Sequence, residues 1–447
     1  MLFCGAAAWG DEPSQLGFCE DATQCADGEA CVGGRCQPQS DTRIRVLFPI
    51  GIDRVQDLTT GARRGPVPDR IDALLRRYLE LVGFFTVIPA DRNPLGAPFE
   101  GHRITTIDFQ SWHDAGAYAF VKGTASRNGN GQLEVALRLY LAEEGVEQEL
   151  PMSTFAVPEN DPAAFKARII EWIDGLLVTY TGRGSAFRGR IAFCKRLDPM
   201  GPKEIWVMDA DGEHETQVTK NGAINLLPAW TRDGRIAYTS YAKNNPDLWI
   251  GDQVFSNRPQ LNSGASWHPD GTQVALTLSK DGNAEIYVLE ALTGGIRRRL
   301  TQNTVIDTSP VWSPDGKRLV FVSDRDTGYP GLYVMQADGT GVQRLPQAGG
   351  YNSAPDWSPD GDHIAYATMV GGDRFDIFVI TLSTKSVTRL TSGGTGEDPS
   401  YSPDGRYITY ASAVKGKRQL FIMTADGRYK RQLSQSPGEF FQPAWQR

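Results

Sequence analysis

The chain has 447 residues, 40% hydrophobic and 22% charged, enough for ordinary cores and too many for one compact unit, so two or more domains are expected. Lys and Arg total 46 against 53 Asp and Glu, and a formal charge of -7 gives no general attraction to phosphate backbones, which argues against nucleic acid as a partner. No stretch of about 18 consecutive apolar residues occurs, so no membrane-spanning helix is expected.

Residues 1–10, with an apolar start followed by Gly5, Ala6, Ala7 and Ala8, read as the remnant of a secretory signal peptide. Cys4 is alternatively a lipid-bearing cysteine, although Phe3 stands where a lipobox wants a small residue. Residues 11–40 carry Cys19, Cys25, Cys31 and Cys36 among small polar and acidic residues. So little apolar surface cannot order itself, and two disulfides in an oxidising compartment are the expected remedy, with the pairing open among three connectivities. Zinc is the rival, but the intervals of five, five and four residues differ from paired zinc-ligand spacing.

Residues 41–182 read as a small α/β domain. Arg43 to Phe48 alternates as a strand. Pro68 opens a helix with Ile71, Leu74, Leu75, Tyr78, Leu79 and Val82 on one face, ended by Gly83. A second strand spans Phe85 to Ile88. Ala117 to Ser126 and Leu133 to Ala142 form a hairpin around the Asn-Gly pairs of 128–131, which supply the positive φ angles a tight turn needs. The last helix runs from Asp161 to Leu177, with Phe165, Ile169, Trp172, Ile173 and Leu176 inward.

Residues 183–447 repeat. Aromatic anchors at Trp230, Trp267, Trp312, Trp357 and Tyr401, each followed by an Asp-Gly pair, stand 37, 45, 45 and 44 residues apart, a spacing suited to four-stranded propeller blades. Proline pre-sets φ, aspartate bonds nearby backbone and glycine takes the left-handed position, so these pairs are turn chemistry. The anchors are expected to pack between neighbouring blades. A sixth anchor, Trp445, has no strands after it, whereas Arg190 to Phe193, Glu204 to Met208 and the edge near Gln217 to Thr219 lack an anchor before them. The C-terminus is therefore expected to complete the first blade of a closed six-bladed β-propeller, leaving no open sheet edge.

Beyond the repeat, the join Gly184 to Phe193, the stretch Leu278 to Gly282 before Ile286 to Val288, and the ending Ala425 to Lys430 through Pro443 to Trp445 resemble the TolB family of the Tol–Pal envelope system. The resemblance covers about residues 41–447. It implies a periplasmic protein that binds other proteins, whose propeller binds a Pal-type peptidoglycan-associated lipoprotein and which supports outer-membrane integrity and cell division. It also implies a TolA-like inner-membrane protein as a possible second partner. The cysteine-rich module stands where the family has a short TolA-binding extension, and no histidine lies near Gln260 to Asn262, where the family can place one.

No catalytic residue, cofactor or metal is expected. A G-x-S-x-G nucleophile elbow is lacking, His214-Glu215 has no second histidine at metal-ligand spacing, and the glycines of Thr391 to Gly396 precede no Lys-Ser/Thr pair. Asp209 with Asp211, and Asp324 with Asp326, fit turns better than calcium loops. Cys194 reads as a small buried hydrophobe. Asn262, Asp307, Thr308, Asn352, Asp398 and Gln442 lie in what read as short polar loops entering each inner strand, a ring at the channel mouth. Such residues either bond local backbone or form a partner-docking rim; the resemblance supports the rim. The alternative function is an exported propeller hydrolase or small-ligand sensor.

Overall fold

The computed structural model describes residues 29–32, 35–38, 48–94 and 104–447. The signal remnant at 1–10, Cys19, Cys25 and the strand expected at 43–47 lie outside them. The backbone of Glu29–Val32 (β1) pairs antiparallel with Arg35–Pro38 (β2), which sets Cys31 opposite Cys36 in register.

The α/β domain follows. Its sheet takes Phe48–Ile52 (β3), Gln56–Asp57 (β4), Phe85–Val87 (β5), Ala119–Arg127 (β6), Gln132–Leu141 (β7), Val146–Gln148 (β8) and Thr154–Pro158 (β9), ordered β5-β3-β6-β7-β8, with β4 on β6 and β9 on β7. β3 runs parallel to β5 and β6, and β6 and β7 form the expected hairpin. Of the strand expected at Arg43 to Phe48, Phe48 alone is described, and it lies in β3. Gly51 is required in it because the Trp112 ring occupies the space a Cβ would need.

Helix Pro66–Leu81 (α1) turns Ile71, Leu75, Tyr78 and Leu79 inward, and Gly83 leaves it at φ 61°. A short helix, Phe109–Asp114 (α2), was not legible in the sequence; Asp108 caps it and Trp112 buries. Helix Pro162–Thr181 (α3) extends four residues past its expected end. The Asp161 carboxylate accepts the Ala164 N–H at its start, and Gly182 closes it at φ 70°.

Six four-stranded antiparallel sheets form the propeller, and Glu439–Trp445 joins Arg190–Arg196 to close the first blade as expected. Each anchor ends an innermost strand and packs against the preceding blade. Trp357, for example, is fully buried among Val320, Leu332 and Ile364, with the Arg318 guanidinium 5.1 Å above its ring. The turn after it works as its residues predict: in the fourth blade the Ser313 hydroxyl bonds Asp315, and Gly316 takes φ 69°.

Because strands alternate in direction, each blade's first turn and its third-to-fourth-strand hairpin lie at one end of the propeller. The second-to-third-strand loop and the link to the next blade lie at the other. The α/β domain sits at the first end, beside blades 6 and 1. There the Tyr407 hydroxyl donates to the Val82 carbonyl at 2.6 Å, and Arg406 donates to the Arg183 carbonyl at 2.9 Å. One apolar core runs through the junction, joining Tyr78 and Leu79 of α1 to Phe187, Tyr407 and Ile422.

Candidate functional site

The six innermost strands enclose a central channel of about 630 Å³. Segments expected as loops entering these strands are themselves the strands' first residues: Asn225–Trp230, Asn262–Trp267, Asp307–Trp312, Asn352–Trp357, Glu397–Tyr401 and Glu439–Trp445. They read as loops because each carries a bulge, where the ladder register shifts by an extra residue. At the bulge one residue takes left-handed φ: Leu227, Gly264, Ser309, Ala354, Asp398 and Gln442, between 48° and 69°. All six line the channel. Five precede proline and five are not glycine, so the ring holds backbone strain of about 1–3 kcal/mol per residue that the blades must offset.

This geometry divides the rim residues expected from sequence. Asn262, Asp307 and Asn352 are fully buried, because the first residue of an inner strand turns into the blade rather than toward the mouth. The Asn262 side chain accepts from Ser256 Oγ at 2.6 Å and donates to the Arg258 carbonyl at 2.7 Å. Asp307 takes both its oxygens to Arg325, each at 3.0 Å, and Asn352 accepts from Thr368 Oγ1 at 2.7 Å. Asn262 fastens the link from the preceding blade, Asp307 and Asn352 tie their strands to their own blades, and all three are buried away from the surface. Thr308 is half-buried beside the bulge. Gln442 and Asp398 remain on the channel wall. Gln442 Oε1 accepts the Leu227 N–H at 2.9 Å, and the buried Cys194 thiol donates to the same oxygen at 3.3 Å. Burial pushes that thiol up to about 12, in keeping with a small hydrophobe.

Exposed apolar side chains mark the open end more strongly than the polar residues do. Met200 is 94% exposed, Leu197 63% and Tyr329 62%, all on loops between second and third strands. Ile224, Ile306 and Tyr351 are exposed on the links between blades at the same end. Single exposed apolar residues are ordinary, but several around one mouth suit a protein contact. No sequence signal separates these residues from other loop residues until the fold gathers them.

At the opposite end the charges are already committed. The Lys166 ammonium on α3 lies 2.6 Å from Asp211 and 3.0 Å from both Asp209 and Glu213, while Tyr78 bonds Asp211 and Arg77 bonds Glu213. Asp209 and Asp211, weighed in the sequence as turn or calcium ligands, thus hold a lysine across a domain junction. Burial pushes the Asp211 carboxyl up, but the Lys166 and Tyr78 hydrogen bonds more than reverse this and leave it below its ordinary value. Asp324 and Asp326 bond the Ile306 N–H and the Tyr333 hydroxyl.

The model of the TolB beta propeller domain matches residues 178–447, and that of the TolB amino-terminal domain matches residues 30–145. The chain belongs to the TolB family. It is 36% identical over 263 residues to the Tol-Pal system protein TolB of Desulfosudis oleivorans, covering 57% of this chain and 58% of that protein. With the protein of the same name from Anaeromyxobacter dehalogenans it is 35% identical over 243 residues, covering 53% and 54%. The matches therefore span little more than half the length of these curated relatives. The crystal structure of TolB from Acinetobacter baumannii superposes with a TM-score of 0.75 at 28% identity, over 90% of this chain and 96% of that one. Both family domains are thus present, in the family's order. No helix among the described residues is long and apolar enough to cross a membrane.

Proposed function

We propose that this chain is a periplasmic, non-enzymatic interaction component of a Tol–Pal-like envelope system. Its propeller binds a Pal-type peptidoglycan-associated lipoprotein, a TolA-like inner-membrane protein is a second partner, and the assembly supports outer-membrane integrity and cell division. The observation that carries the reading is the propeller end that faces away from the α/β domain, where Leu197, Met200, Ile306 and Tyr329 are exposed on loops and links, in a chain of this family. Such an end offers exposed apolar anchors among polar loops, which suits a protein surface.

A second reading, an exported propeller hydrolase or small-ligand sensor, draws on the channel volume, which falls in the range of ligand pockets. Its wall offers little for hydrolysis. Ser266 and Ser400 accept backbone N–H groups from Trp312 and Trp445, and His268 is held by Asp270 and the Gly316 carbonyl. Titrating the purified chain with the soluble domain of the lipoprotein tests the first reading. Saturable one-to-one binding is expected, and its absence at micromolar concentrations would count against lipoprotein docking.

A further inference from the structure

The ring of left-handed bulge residues has one ionisable member, Asp398. Around it the acidic residues of the inner strands are matched by arginines. Asp307 meets Arg325 at 3.0 Å, Glu397 meets Arg418 at 2.6 Å, and Glu439 meets Arg196. Asp398 lacks such a partner. Among the described residues its carboxylate makes no ion pair and no side-chain hydrogen bond, and the donor it does meet is the backbone N–H of Gln442.

The nearest cations are engaged elsewhere. Arg418 is held by Glu397, and the Lys203 ammonium rests 4.0 Å from the centre of the Phe441 ring. A half-buried carboxylate is thus held at the channel wall, on a strained backbone position, with no counter-charge in contact.

We propose that Asp398 is the acceptor for a basic side chain, a lysine ammonium or an arginine guanidinium, that the docked lipoprotein inserts into the channel mouth. This rests on the docking reading above and adds the chemistry of the contact. A cation arriving there desolvates little that is not already desolvated and gains a charge-assisted hydrogen bond. The exposed apolar rim would seat the surrounding surface.

The titration of the carboxyl agrees. Burial, and then the Glu397 carboxylate, push the Asp398 carboxyl up to about 6, against the Gln442 N–H, Arg418 and Lys203. The facing Cys194 thiol is neutral throughout, and Glu439 is held by Arg196. A bound cation favours the ionised form, so the carboxyl titrates lower in the complex than in the free chain. Binding must then expel a proton at acidic pH. Affinity is full above about pH 7 and falls as pH drops through 6, by up to about tenfold per unit.

The test is calorimetric titration of the full chain with the soluble lipoprotein domain between pH 7.5 and 5.0, for the wild type and Asp398→Asn. Asparagine tolerates left-handed φ, so the variant keeps the bulge, and a thermal melt checks this. Wild-type affinity is expected to fall about tenfold over the range with a midpoint near 6. The variant is expected to start about tenfold weaker at pH 7.5 and to stay flat. A variant that binds as tightly as the wild type at pH 7.5, or a wild type whose binding ignores pH, overturns the role of Asp398 and leaves docking intact. The wild-type series needs no variant to fold. A wild type that binds no lipoprotein at any pH overturns docking itself, and this contact with it.

Discussion

The two ends of the propeller are built from the same blades and carry similar residues, yet one is closed and the other open. At the domain end, Lys166 draws Asp209, Asp211 and Glu213 together, and Tyr407 and Arg406 bind backbone carbonyls of the α/β domain. At the far end, arginines likewise neutralise Asp307, Glu397 and Glu439, but Met200, Leu197 and Tyr329 remain uncovered and Asp398 has no counter-ion in contact. Saturated charge marks where the molecule holds itself together. Unsatisfied charge beside exposed apolar surface marks where something else can bind.

The largest effect should come from breaking what both ends depend on, the closure of the ring. Removing 439–447 deletes the innermost strand of the first blade and with it Trp445, Phe440 and the ladder to Arg190–Arg196. Loss of one large buried aromatic alone costs about 3–5 kcal/mol, a large share of a typical domain's stability. A chain ending at Gly438 is expected to melt far below the full chain and to expose an unpaired edge. Equal melting temperatures would show that the split blade does not close the ring.

Next in size is the domain end by itself. Lys166→Met removes the cation from three carboxylates, one of them fully buried, and breaking a buried pair in this way costs about 3–5 kcal/mol. The loss should be local, read as faster hydrogen exchange in α1 and α3 with the distant blades 3 and 4 unchanged. The pH dependence has a definite sign. Asp211 titrates below its ordinary value in the folded chain, so its contribution is complete above the ordinary carboxylate range and disappears as pH falls through its lowered folded value. Lys166 titrates above its ordinary value, so its share is complete at neutral pH and is lost on strong alkalinisation. Protection of α1 and α3 that is indifferent to Lys166→Met would mean that apolar packing alone holds the junction.

Much of the frame that separates these ends was legible in the sequence, because its signals are local. The Asp-Gly turns follow from φ preferences within four residues, and counting them places Trp445 in the first blade. The faces of α1 and α3 follow from periodicity. Pro49 and Gly51 read as strand breakers, yet both lie within Phe48–Ile52; what makes Gly51 necessary is the Trp112 ring, far away in sequence. The inner strands were taken for loops for a related reason: left-handed residues followed by proline are turn chemistry, and here it serves a bulge within a ladder. The rim suffered most. Whether Asn262 faces a partner or the link behind it is decided by strand direction and the position of Ser256 and Arg258, and the exposed apolar residues acquire meaning only when loops and links of several blades gather at one end.

The smallest effect gives the sharpest comparison, because it uses two apolar side chains of equal exposure at opposite ends. Met200 and Leu292 are each 94% exposed, the first on a loop at the open end and the second on the hairpin after Glu285–Glu290, at the end that carries the α/β domain. Neither contributes to a core, so Met200→Ser and Leu292→Ser should each leave stability within about 0.5 kcal/mol of the wild type. If exposed apolar surface at the mouth is a docking rim, Met200→Ser should weaken lipoprotein binding by on the order of 1 kcal/mol, about fivefold in Kd, while Leu292→Ser changes nothing. Paired titrations at one pH and one salt concentration would read the difference. Equal losses would assign the effect to general stickiness, and a loss confined to Leu292→Ser would move the docking surface to the domain end.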